Sequence, residues 1–185
     1  MTAQQRFEAL VLPHLDGLLG FASRRIGNAA DAEDLVQEAM LRAWKGFETV
    51  REPASGRAWL FAIVRSVISD HRELNGRRST LVEFADLEDE HMGQIAAADP
   101  GPLDVVIGSL SSERLRDALA RVPEVYATAV ELHDLHGFRY REIGEIVGAP
   151  IGSVMSRIHR GRKMLAELLL SEYGGADLSR IRRVR

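Results

Sequence analysis

Apolar positions recur every three to four residues along most of this chain, the spacing that gathers them on one face of an α-helix. Phe7, Leu10, Val11, Leu15, Leu18, Leu19 and Ala22 follow it, with Pro13 and Gly17 placed to break or kink the run. Gly27-Asn28 is a helix stop. Asp31 is the predicted N-cap of the next helix, with Asp34 three residues on in the manner of a capping box. That helix, "AEDLVQEAMLRAWKGF", sets Leu35, Ala39, Arg42 and Ala43 near one face, with Val36, Met40 and Trp44 close by, and pairs Glu38 with Arg42 at i,i+4. After the turn-rich "GFETVREPASG" comes a long periodic run through Trp59, Leu60, Ile63, Val64, Val67 and Ile68, ending in the basic cluster Arg72, Arg77 and Arg78.

The C-terminal half repeats the habit. Ser111 or Ser112 caps a helix carrying Leu115, Leu119 and Val122, and Pro123 opens another through Val125, Ala129, Val130 and Leu132. Two further helices, "RYREIGEIVG" and "PIGSVMSRIHRGRKMLAELLLSEYG", are parted only by Gly148-Ala149. Strand patterns are weak throughout and no fixed-period repeat occurs, so the predicted class is all-α.

Composition changes this picture little, but charge divides it. Apolar residues at 45% and charged residues at 28% of 185 positions are ordinary globular values. With no cysteine, disulfides and thiolate zinc sites are excluded, which suits a reducing compartment. Pro13, His14 and Asp16 interrupt any signal-peptide run, and no stretch reaches the roughly 20 apolar residues of a membrane span. The expectation is a soluble cytoplasmic protein with no membrane insertion. The net charge of −3 resolves into +1 over residues 1–78, −7 over 79–108 and +3 over 109–185. The acidic stretch holds no Lys or Arg and ends in Asp-Pro-Gly-Pro, so it reads as a flexible linker between two small helical domains. The predicted domains are therefore 1–78 and 109–170, with a basic tail at 171–185.

Two helices joined by a tight Gly-containing turn form a helix-turn-helix, here over about residues 139–165. Gly148 supplies the turn, and Pro150 is tolerated at the first helical position. On a helical wheel, Ile151, Val154, Ile158, Gly161 and Leu165 face the core. Gly152, Ser153, Ser156, His159, Arg160 and Lys163 face outward, with Arg157 and Met155 on the flanks. No acid occurs from Pro150 to Ala166, whereas a helix built only for solubility mixes Glu with Lys. Small polar residues in the first turns and cations further along suit a helix that reads the DNA major groove.

Here a family resemblance enters. "YREIGEIVGAPIGSVMSRIHRGRKML" resembles the region-4 helix-turn-helix of the extracytoplasmic-function (ECF, group IV) sigma factors of bacterial RNA polymerase. "DAEDLVQEAMLRAWKGF" is similar to their region-2 polymerase-docking helix, and "RAWLFAIVRSVISDHRE" to the segment that melts and reads the −10 element. The resemblance runs from about Phe7 to about Leu170, with the motifs in family order. It implies that Asp34, Gln37, Glu38, Met40 and Trp44 meet the clamp coiled coil of core polymerase, whose flap is a second contact. It implies that Arg57, Trp59, Arg65, Ser66, Asp70 and Arg72 lie along the melted −10 strand, with residues between Phe47 and Arg57 pocketing a flipped base. Ser66 stands where the family usually has Asn, and Trp59 fits a core position as well as a stacking platform. In region 4, Ser153, Met155, Ser156, His159 and Arg160 match −35-reading positions, and Met155 stands where many relatives carry a cation. Arg157 touches phosphate or braces the helix, Lys163 belongs to the same −35-binding set, and Arg139, Tyr140 and Arg141 at the start of the motif hold backbone phosphates. The implied protein makes and breaks no bond, takes no cofactor or metal, and is held in check by an anti-sigma factor. The acidic linker is expected to thread toward the polymerase's basic RNA-exit path.

Two other readings compete. "ELHDLHG", with His133 and His136 at i,i+3, is the one hint of a metal site, and it lacks a third ligand at helical spacing. No nucleophile elbow or phosphate loop accompanies it. An autonomous dimeric helix-turn-helix regulator, binding a palindrome without polymerase, is the second. The tail, with four arginines in its last six residues, is either a phosphate-binding arm or a solubilising end.

Overall fold

The computed structural model describes residues 1–49, 53–74 and 112–173, and among these every regular element is helical. The predicted linker at 79–108 lies outside the described residues, as does the tail beyond 173. Eight α-helices are described: α1 (Ala3–Val11), α2 (Leu15–Ile26), α3 (Ala29–Gly46), α4 (Pro53–Leu74), α5 (Ser112–Leu119), α6 (Glu124–Val130), α7 (Tyr140–Val147) and α8 (Ile151–Tyr173). Short 3-10 turns at Leu12–His14 and Phe47–Thr49 link α1 to α2 and follow α3.

Local chemistry accounts for the helix ends. Thr2 caps α1 with a full capping box, its Oγ1 accepting from the Gln5 amide while the Gln5 side chain accepts from the Thr2 amide. Pro13 interrupts the first run as expected and sits inside the 3-10 turn. The predicted cap at Asp31 is corrected by three residues. Asn28, in extended backbone, caps α3 by accepting from the Ala30 amide at 3.0 Å, and Asp31 falls in the first turn. An Asn side chain reaches the second amide of the helix as well as Asp does, and the left-handed Gly27 before it ends α2 one residue earlier.

The described residues fall into two compact units, the first formed from the N-terminal helices together with Leu132–Val154. Its core is α2, α3 and α4 packed on one another, with Leu18, Phe21, Val36, Leu60, Phe61 and Val64 buried. Phe21 and Phe61 meet edge to face at 5.4 Å, and each such buried side chain contributes about 1.5–3 kcal/mol. Gly56 lets α4 approach Leu10 of α1 where any Cβ would collide with it. The second unit is organised by α5, α6 and the length of α8 from Met155 onward. Leu115, Leu119, Val122, Ala129, Val130, Ile158 and Leu165 form its core. Gly161 brings α8 against α6, because a Cβ there would stand 2.6 Å from Val130 and 3.1 Å from the Tyr126 carbonyl.

Candidate nucleic-acid and polymerase interfaces

The helix-turn-helix is built on glycines. Gly148 takes φ 67°, a left-handed conformation that costs a side-chain-bearing residue, and its amide donates to the Gly144 carbonyl. The Ala149 amide donates to the same carbonyl at 3.0 Å. A Cβ on Gly144 would lie only 2.8 Å from the Ala149 carbonyl, so the turn closes tightly because that position is bare. Ile143 and Ile146 are buried, as is Val154 at the start of α8.

Along α8, three of the six positions that the wheel turns outward are exposed. Gly152, His159 and Lys163 are exposed, while Ser153, Met155, Ser156, Arg157 and Arg160 are half-buried. Ile151 departs from the prediction. At 49% exposed it is not core, because the first residue of the helix lies ahead of the turn that Val154 anchors. It stands with Gly152 and Ser153 as an apolar tip at the N-terminal end of α8. At the head of α7, Arg139 and Arg141 are exposed and Tyr140 half-buried against the His133 ring at 4.9 Å. The Arg139 amide donates to Glu142 at 2.7 Å, half of a capping box, and Arg141 pairs loosely with Glu145 at 3.6 Å.

On α3, Asp34, Gln37 and Glu38 are exposed along one line, and the line continues to Leu41, which is 65% exposed. Sequence reasoning missed Leu41. Its distance of i+3 from Glu38 and its position opposite Ala32, Ala39 and Ala43 were the available signal. Met40 lies half-buried to one side. Trp44, 42% exposed, stacks on Phe47 at 5.0 Å and meets Phe7 edge-on at 5.1 Å. Arg42 holds Glu38 at 2.5 Å and Asp70 of α4 at 2.6 Å, and these two carboxylates raise its pKa above the ordinary value.

The residues expected on the −10 strand are spread along α4 and differ in their engagement. Ser66 is exposed, and Asp70 is exposed but bound by Arg42. Arg72 donates to the Arg25 carbonyl at 2.7 Å, which braces the C-terminal end of α2. Trp59 is half-buried beside Gly46 of α3, so the core-edge role fits its place. Arg65 is half-buried as well. Arg57 donates to the His136 carbonyl and lies over the Phe138 ring at 4.2 Å, two contacts no sequence pattern announces. Below it, Arg6, Leu10, His14, Phe47 and Glu48 line a cleft of about 480 Å³. His14 in that wall has its pKa lowered, by burial first and then by the Arg57 cation.

The two histidines of "ELHDLHG" are each held by a hydrogen bond. His133 Nδ1 donates to the Phe138 carbonyl at 2.9 Å, and Arg24 donates to His136 Nε2 at 3.1 Å. Among the described residues no cluster of three metal-ligating side chains occurs, and no helix is long and apolar enough to cross a membrane.

Comparison with known proteins joins these surfaces. A family model described as Sigma-70 region 2 matches residues 10–78, and one described as Sigma-70, region 4 matches residues 112–165. The ECF RNA polymerase sigma factor SigW of Bacillus subtilis is 30% identical over 168 residues, covering 90% of each chain. The chain belongs to the ECF sigma factors. Another relative, the ECF sigma factor SigE of Mycolicibacterium smegmatis, is 33% identical over 90% of this chain, which spans 63% of SigE's own length. Among solved structures, the sigma factor RpoE of Bartonella quintana, in complex with the anti-sigma factor NepR, is similar at TM-score 0.66 and 29% identity. That match covers 89% of this chain and 97% of RpoE. CnrH, in complex with the cytosolic domain of CnrY, shares the fold at TM-score 0.51 and 23% identity. For this ECF sigma factor, α3 and α4 fall in region 2, and α7 and α8 in region 4.

Proposed function

We propose that the protein is a promoter-specificity subunit: it binds core RNA polymerase and directs initiation at promoters bearing −35 and −10 elements. The observation that carries this reading is one chain holding two unlike surfaces. One is the acidic-to-apolar stripe Asp34, Gln37, Glu38 and Leu41 on α3; the other is the outward face of α8 from Ile151 to Ala166, which holds no acid. A DNA reader that worked alone would have no use for the first, so the autonomous regulator is not favoured.

In this reading the stripe docks on the polymerase clamp, with Leu41 and the Trp44 edge as apolar contacts, and region 4 meets the flap. Ser153, Met155, Ser156, His159 and Arg160 face −35 base edges, with Ile151 at their tip. Arg139, Tyr140, Arg141, Arg157 and Lys163 hold phosphates. Along α4, Arg57, Arg65 and Ser66 meet the melted strand. A flipped base fits the cleft walled by His14 and Phe47, whose ring offers a stacking surface. Asp70 and Arg72 act as braces for this face. The protein performs no covalent chemistry, needs no cofactor and works in the cytoplasm. Its partners are core polymerase, promoter DNA and an anti-sigma factor, the last supported by the RpoE–NepR likeness. The domain limits 1–78 and 109–170 are part of the same proposal.

Transcription in vitro with core enzyme and this protein tests the reading. A promoter-specific transcript that core enzyme alone does not make is the expected result. Tight binding of the free protein to a palindrome, with no such transcript, would overturn it.

A further inference from the structure

His14 closes the 3-10 turn Leu12–His14 and stands just before α2, half-buried, where its side chain makes no capping bond to that helix. Its ring donates instead to the Pro13 carbonyl. That bond occupies one ring nitrogen, and in the neutral imidazole the other nitrogen carries no proton. Burial and the Arg57 cation both work against the charged form, while the Pro13 carbonyl favours it.

The surroundings of the ring are built from several elements of the first unit. Arg6 comes from α1, with Met1 at its head, and Glu48 from the turn after α3. Arg6 and Glu48 pair loosely at 3.7 Å and offset each other, which leaves the positive field of Arg57 from α4 acting on His14. Asp16 is exposed in the first turn of α2, and His136 stands one turn along that helix, beside Gly17. Phe47 supplies the aromatic wall, backed by Trp44 stacked on it at 5.0 Å. A cleft of about 480 Å³ with an aromatic wall and a positive field suits a base together with the phosphate beside it. An inorganic anion gains nothing from Phe47, and a neutral ring gains nothing from Arg57.

We infer that His14 is a strand-phosphate contact of this cleft and makes it as the imidazolium, so that capture of single-stranded DNA takes up a proton at this residue. The proton goes to the ring nitrogen that Pro13 leaves bare, and that nitrogen then donates to a phosphate oxygen while a base stacks on Phe47. This rests on the assignment of the cleft to the melted strand. A phosphate placed there offsets Arg57 and so removes one of the two penalties on the charged ring. Strand and proton therefore favour each other, as linkage demands. The sign is opposite to that for folding: acidification weakens the fold through His14 and strengthens its grip on the strand.

Fluorescence anisotropy of labelled oligo(dT) on the full-length protein measures both consequences. From pH 7.5 to pH 5.5 the wild-type affinity should rise about tenfold, the effect of one charge-assisted hydrogen bond. The slope of log K against log[salt] should steepen by about 0.7, one more phosphate neutralised on a single strand. An affinity that is unchanged between the two pH values, or absent, overturns the contact. The chain has 6 histidines, so variants isolate the share of His14. His14→Gln should keep the weaker affinity and the shallower slope at both pH values. His14→Lys, a cation throughout, should bind at pH 7.5 as tightly as wild type does at pH 5.5. A folded His14→Gln protein with the wild-type pH response refutes the inference. If either variant unfolds by circular dichroism, NMR titration of His14 in the wild-type protein decides: oligo(dT) should raise its pKa, and an unmoved pKa refutes the contact. A promoter-specific transcript with an unmoved His14 removes the contact and keeps the sigma-factor reading. A shifted His14 with no transcript does the reverse.

Discussion

Gly144→Ala is expected to destabilise the protein although Ala is the better helix former. Replacing Gly by Ala inside a helix ordinarily gains about 1 kcal/mol. Here the new Cβ would stand 2.8 Å from the Ala149 carbonyl oxygen, a backbone atom with no rotamer to change. Reaching ordinary contact requires the turn to move by about 0.6 Å, and overpacking of this kind costs about 1–3 kcal/mol. The Gly144 carbonyl accepts from both Gly148 and Ala149, so the displacement also loosens the hydrogen bonds that set the angle between α7 and α8. The net loss is about 1 kcal/mol, a fall of about 2–4 °C in Tm for a chain of this size. Gly152→Ala is the matched control in the same motif. Nothing lies within 4 Å of its added Cβ, so that variant should gain about 0.5–1 kcal/mol and melt higher. Thermal melts of both variants against wild type measure the difference. In transcription assays Gly144→Ala should weaken all −35-dependent promoters together, because it tilts the reading helix without removing a base contact. A Gly144→Ala protein that melts as high as Gly152→Ala would refute the close approach and with it the account of this turn.

Leu41→Asp should leave stability within about 0.5 kcal/mol, since the side chain is mostly exposed, while sharply reducing co-purification with core polymerase. Unchanged binding would remove Leu41 from the docking stripe. Arg42→Ala should cost no more than about 1 kcal/mol despite its two short ion pairs, because all three side chains are two-fifths or more exposed. That loss should shrink further in 1 M salt, where the Debye length is about 3 Å, and a salt-independent loss would contradict it. His14 predicts a pH dependence. Its folded pKa lies below the ordinary 6.5, so the unfolded chain takes up a proton that the folded one resists. Stability therefore falls as pH drops through 6.5 and levels off once pH is below the depressed folded value. Urea midpoints from pH 7.5 to pH 5.5 should show this decline in wild type and a flatter profile in His14→Gln; equal slopes would refute it.

The helices were legible in the sequence because their signals are local. The α3 core at Leu35, Val36, Ala39 and Ala43, the αL turn at Gly148 and the cationic outer face of α8 each follow from spacing within a few turns. The misreadings are local too, but turn on competition between neighbours. Asn28 outcompetes Asp31 because it comes one residue before the first helical amides, and Ile151 escapes the core because the helix begins only there. Leu41 was overlooked because an exposed leucine carries no signal until its neighbours at Asp34, Gln37 and Glu38 are read as a binding stripe rather than a solvated face. Arg57 is of another kind. Its cationic character and place on α4 suggested phosphate, yet the guanidinium is held by residues 79 positions further along the chain. Nothing in the periodicity around either segment specifies that pairing. The same properties suit both partners: a planar cation that binds a carbonyl and covers an aromatic ring can bind a phosphate and cover a base. Arg57→Ala should therefore loosen the packing of Phe138 on α4 and weaken the −10 contact together.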